Sequence, residues 1–156
     1  MKSVYKVVAY LIAAEVVVQA MAMVYAVAGL GKWVNSGGVF DKAVMESDQT
    51  PFPELVGFFV HGVNGSMVIP GIALLLLIIS FFTRIPGAAK WAGLVLLLVA
   101  VQVNLGFFGH EVPAVGALHG LNALLLFGTA FYTARRVRAA APTAAQRPEA
   151  RAAAPV

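Results

Sequence analysis

Two short stretches of this chain carry the same pattern. One reads His61-Gly62-Val63-Asn64-Gly65, the other His119-Gly120-Leu121-Asn122-Ala123. Both are His-Gly-apolar-Asn-small. Each is preceded by a Gln and one or more Gly: Gln19 with Gly29 and Gly31, then Gln102 with Gly106. The order Gln, Gly, His-Gly-x-Asn therefore occurs twice. Two imidazoles presented in this way can supply both axial ligands to one haem. The small neighbours Gly57, Gly62 and Gly65, and Gly116, Gly120 and Ala123, would let a flat macrocycle approach the backbone. Asn64 and Asn122 lie one turn from each His and can hydrogen-bond across a bundle. The second ring nitrogen of each His then needs an acceptor, either a main-chain carbonyl or Gln102. A plainer reading has the histidines as polar glue between helices and the glycines as close-packing sites. The repeat could also be a relic of duplication.

The elements that carry these motifs follow from composition. The chain has 156 residues, 60% of them apolar and 12% charged. Its mean hydropathy is +0.85. A soluble domain carries about 25% charged residues, and a body this small cannot bury so much apolar surface in an aqueous core. With no Cys, thiolate metal sites, Cys-ligated haem and redox disulfides are excluded. Four apolar stretches, about 4–30, 55–82, 91–109 and 112–132, are each near or above the roughly 20 residues that cross a bilayer as a helix. They run on without the alternation of a strand. The expected fold is all-α, an integral membrane four-helix bundle over residues 1–135. Its two hairpins would be related by a pseudo-two-fold axis along the membrane normal. The first stretch also resembles a signal peptide, with Ala26-Val27-Ala28 as a cleavage site. It is too long for one, and Glu15 and Gln19 interrupt it.

Basic residues set the direction. Lys2, Lys6, Arg84, Lys90, Arg135, Arg136, Arg138, Arg147 and Arg151 fall at the termini and the middle loop; Lys32 and Lys42 fall on the other side. Both termini are thus expected in the cytoplasm of a bacterial inner membrane. The same cluster reads as lipid-headgroup contact rather than a nucleic-acid site. On this topology His61 and His119 each enter seven residues from the outer side, about 10 Å deep at 1.5 Å per residue. Gln102 shares that layer, and Gln19 is placed deeper. Residues 32–53 form a long outer loop, either a lid or a mobile segment. Pro70 frees the carbonyl of Ser66 and should kink the second helix. Residues 136–156, rich in Ala, Pro and Arg, read as a disordered tail.

Two ionisable residues stand outside the repeat. His110 lies in the last outer loop beside Glu111, as a solvated pair, a weak metal site or a proton relay. Glu15 lies one turn from Gln19 on the same helix face; it reads as a proton carrier, a pair for a partner subunit or a hydrogen-bond partner of Gln19, with no firm link to the His layer. Trp33, Trp91 and Tyr132 are placed as interface anchors. Phe58, Phe59, Phe107 and Phe108 cluster towards the outer side, where lipid, the core or a porphyrin could take them.

On these motifs the chain resembles one half of the haem A synthase family, through Gln102, Gly106 and His119 in the second hairpin and His61 in the first. It is also similar to a family of short four-helix bacterial membrane proteins. The resemblance covers most of residues 4–135 and implies a four-helix haem b bundle. That family has two bundles and further histidines; here there is one bundle and one matched pair. The expected function is therefore one haem b held by His61 and His119. Its role is electron transfer, as a carrier or a haem-bearing subunit of a membrane redox complex. A quinone or an extracytoplasmic protein is the expected exchange partner. Two alternatives remain: a cofactor-free accessory or assembly subunit of a larger complex, and a small transporter, which would have to be a homo-oligomer. No hydrolase constellation is present.

Overall fold

A computed structural model describes residues 1–139. Those residues are helical, with no strand among them. Helix α1 runs Lys2–Asn35. A short helix, α2 (Lys42–Met45), follows in the long loop after α1. The second long element, Pro53–Ser80, is composite. A 3-10 turn (Pro53–Leu55) leads into α3 (Val56–Val63), a π turn (Asn64–Val68) and α4 (Ile69–Ser80). Helices α5 (Ala88–Gly109) and α6 (Pro113–Ala139) complete the chain. Four of these elements are long and apolar enough to cross a membrane.

The helix bounds differ from the apolar stretches at their ends. Helix α1 carries on past residue 30 through Lys32 to Asn35. Helix α6 continues through Arg135 and Arg136 to Ala139, so residues 136–139 of the expected tail are helical. Residues 140–156 of that tail lie outside the described residues.

The exterior of the bundle is largely apolar, and a few polar side chains lie inside. Gln19, Ser80, Thr83, Asn122 and Thr133 are buried, while Val17, Met21, Leu74, Leu97, Leu121 and Leu124 face outwards. Such an exterior suits a lipid bilayer rather than water. The long elements pack in a ring in chain order, each against the next and α6 back against α1. The second and fourth long elements therefore sit on one diagonal.

The packed core occupies one end of this ring. Tyr5, Val8, Ala9, Ile12 and Ala13 of α1 meet Ala73, Leu76 and Ile79 of α4, Ala88, Ala92 and Val95 of α5, and Ala130 and Ala134 of α6. Tyr5 closes that end by donating its hydroxyl to the carbonyl of Ala88 at 3.0 Å. At the other end the long loop is tethered. Trp33 stacks near Phe52 and meets Phe40 edge-on, and Phe52 is buried. Asp41 caps α2 by accepting from the Val44 amide at 3.0 Å.

The π turn explains how the second long element keeps one face inwards. Gly57, His61, Gly65, Ile69 and Ala73 recur every four residues. A four-residue step overshoots an α-helical turn by about 40°, and the wider π turn takes up that drift. It lies immediately before Pro70, whose missing N–H leaves a carbonyl of the preceding turn free. Ser66 donates its hydroxyl to the carbonyl of Gly62 at 2.6 Å and helps to hold the turn.

Gly57 tests the packing directly. A Cβ there would collide with the Ala22 carbonyl and press on Ala26, whereas one at Gly93 would meet nothing within 4 Å. Gly57→Ala should cost about 1–3 kcal/mol. Gly93→Ala should be neutral or slightly stabilising. Thermal unfolding of both variants in detergent checks the contrast.

Candidate functional site

The two histidines meet across the diagonal of the ring. His61 is on α3 and His119 on α6, and their ring centroids are 6.0 Å apart at an interplanar angle of 57°. Each is fixed from behind by the helix that precedes it. The Nδ1 of His61 lies 3.3 Å from the main-chain carbonyl oxygen of Gln19. The Nδ1 of His119 lies 3.0 Å from that of Gln102. A carbonyl oxygen can only accept, so Nδ1 carries the proton in both rings. Nε2 is then left with a free lone pair, the arrangement of an imidazole set to ligate a metal.

Gln19 thus shares the His layer and is not deeper, as the span lengths suggested. Depth is set by the helix crossing rather than by the helix ends. Gly57 crosses α1 at Ala22 and Ala26; His61 lies four residues below that crossing and Gln19 three below Ala22. Glu15 is also joined to the motif. Asn64 donates its amide to the Glu15 carboxylate at 2.7 Å. In the second hairpin Asn122 donates to the Gln102 side-chain oxygen at 2.6 Å and to the carbonyl of Leu98 at 2.9 Å. Leu98 stands one turn before Gln102, as Glu15 stands one turn before Gln19. The two Asn residues therefore have matching roles and different acceptors.

The histidines line a cavity of about 420 Å³, within the usual range for small-molecule sites. Of the residues singled out by sequence, Gly65 and Gln102 also line it, while Asn64 and Asn122 brace its wall from outside. Gly57 and Gly116 lie away from it. Gly57 is a crossing point on α1, and Gly116 packs against the backbone of Gly109. Gly106 lines the cavity, and a Cβ there would press on the His119 ring. Gly62 and Gly120, each directly after a His, line the cavity too, and a Cβ at either would meet nothing within 4 Å.

No protein-family model, characterised protein or solved structure matches this chain.

The cavity can be tested against the group that the motif suggests. A metal–imidazole bond of about 2 Å, plus about 1 Å from nitrogen to ring centre, sets two ligands of one metal about 6 Å apart between centroids. The observed separation agrees. Among the described residues there is no group of three or more His, Cys, Asp and Glu placed to hold a metal ion. A metal here would have two protein ligands and would need the rest from elsewhere, as haem iron takes from its macrocycle. The side chain of Gln19 is 9% exposed, faces the cavity and has neither its nitrogen nor its oxygen partnered. Such an orphan costs about 1–3 kcal/mol, so a ligand or ordered water belongs beside it. The residues present fit the group.

The polar brace in the second hairpin carries its own test. Asn122 is 6% exposed. Asn122→Leu removes the donor from Gln102 and should lower stability by about 0.5–2 kcal/mol. Denaturation of the detergent-solubilised chain, compared with Asn104→Leu at a position bonded only within its own helix, measures it.

Proposed function

We propose that this chain is a four-span membrane protein that holds one haem b between His61 and His119. One observation carries the reading. Two imidazoles on diagonal helices, each with Nδ1 held by a neighbouring carbonyl, stand 6.0 Å apart in one cavity. His61 and His119 would hold the haem, which would supply one-electron chemistry there. The main-chain carbonyls of Gln19 and Gln102 fix the tautomer and direction of each ring. Gly62 and Gly120 leave room beside the rings. Val16, Val99, Val103 and Leu126 keep water from the wall.

The repeated motif supports two hairpins related by a pseudo-two-fold axis. The distribution of Lys and Arg supports cytoplasmic termini and a bacterial inner-membrane location. The cavity lies in the half of the bundle away from the termini, so electrons would be exchanged with an extracytoplasmic protein or with a quinone. The chain would serve as a carrier or as the haem-bearing subunit of a larger membrane complex.

An optical spectrum of the detergent-purified chain, oxidised and then dithionite-reduced, is the first test. A low-spin b-type spectrum is expected, and it should be lost in both His61→Ala and His119→Ala. A protein that stays colourless after expression with added haem would overturn the reading and leave an accessory subunit in its place. Topology has a clean test because the chain has no Cys. Asp48→Cys should react with an impermeant thiol reagent applied to intact cells, and Arg84→Cys should react only after lysis.

A further inference from the structure

The two ends of the cavity differ in chemistry. Along α5 its wall runs from Val99 to His110, eleven residues or about 16 Å of helix. At the inner end stand Ile69, Val99 and Leu126, all buried and apolar. At the outer end stands His110, exposed and just past the end of α5. Its sequence neighbour Glu111 does not hold it: the ion pairs among the described residues are Lys32–Glu54 and Lys42–Glu46. Among the described residues, His110 is the only ionisable side chain on the cavity wall besides His61 and His119.

Haem b has matching asymmetry, with two carboxylates on one edge and apolar substituents on the opposite edge. Carboxylates at the inner end would be buried against Ile69, Val99 and Leu126, away from water, which is costly. At the outer end they reach water and an imidazole that can donate to them. Resting on the haem reading above, we propose that His110 binds a haem carboxylate. It would thereby set the macrocycle with its carboxylate edge towards the α5–α6 turn and its apolar edge towards Val99. His110 is a positioning residue here and not an iron ligand.

The test compares the full-length detergent-solubilised chain loaded with haem b or with its dimethyl ester, which has the same ring and no carboxylates. The readout is the rate of haem loss to a protein scavenger, followed by absorbance. The wild type should lose the ester about tenfold faster than haem b. His110→Ala should lose haem b at the faster rate and no longer distinguish the two forms. His110→Lys, which also supplies an N–H donor, should restore the difference. Equal loss of both forms from the wild type would overturn the proposal while the low-spin spectrum stood. So would a preference for haem b that survives in His110→Ala. If neither form gives a low-spin spectrum dependent on His61 and His119, both this proposal and the haem reading fail.

Discussion

The site depends on one kind of contact, an imidazole N–H donated to a main-chain carbonyl of the neighbouring helix. It occurs twice, His61 to Gln19 and His119 to Gln102. A carbonyl in the middle of a helix already accepts one bond from its own helix, yet it has a second lone pair to offer. Using the backbone as acceptor makes the ring's position a property of helix packing. The helix pair must cross closely and at fixed height. Gly57 against Ala22, and Gly109 against Gly116, are the close approaches that set that height. The glycines at these crossings thus act on the histidines from a distance, through the carbonyls they bring into place.

A bundle that is tight throughout would leave no cavity, and one that is loose throughout would not hold the rings. The chain divides the two demands along its length. The end that carries the terminus of α1 and the α4–α5 turn is filled by small and medium apolar side chains, closed by the bond from Tyr5 to Ala88. The opposite end keeps space at Gly62 and Gly120 and is bridged by polar contacts. The π turn lies where the two regimes meet. It lets a single element face the cavity above and the core below.

The two hairpins share the His-Gly-apolar-Asn-small pattern, and the residue one turn before the Gln differs between them. Where the second has Leu98, the first has Glu15, and the carboxylate draws the amide of Asn64 to itself. Asn122, facing a leucine, turns to the side chain of Gln102 and to a main-chain carbonyl. Gln19 is left without the partner that Gln102 enjoys. The Asn64 amide given to Glu15 is not available to Gln19, so one residue is enough to make the two motifs chemically unequal.

Much was legible in the linear chain. The count and approximate bounds of the long helices follow from the cost of placing polar backbone or charge in hydrocarbon, which leaves a local mark in every stretch. The pairing of His61 with His119 was legible because the motif is repeated, and the acceptor behind each ring because a buried imidazole must satisfy its second nitrogen. Tertiary structure alone decided which residues share a level. It placed Gln19 beside His61, joined Glu15 to Asn64 and moved Gly57 and Gly116 off the cavity wall. It also brought His110 to the cavity mouth. The physical reason is common to all of these. Residue counting along a span measures distance from that helix's own end, whereas contact depends on where two helices cross, and the crossing is chosen by side-chain shape on both partners at once.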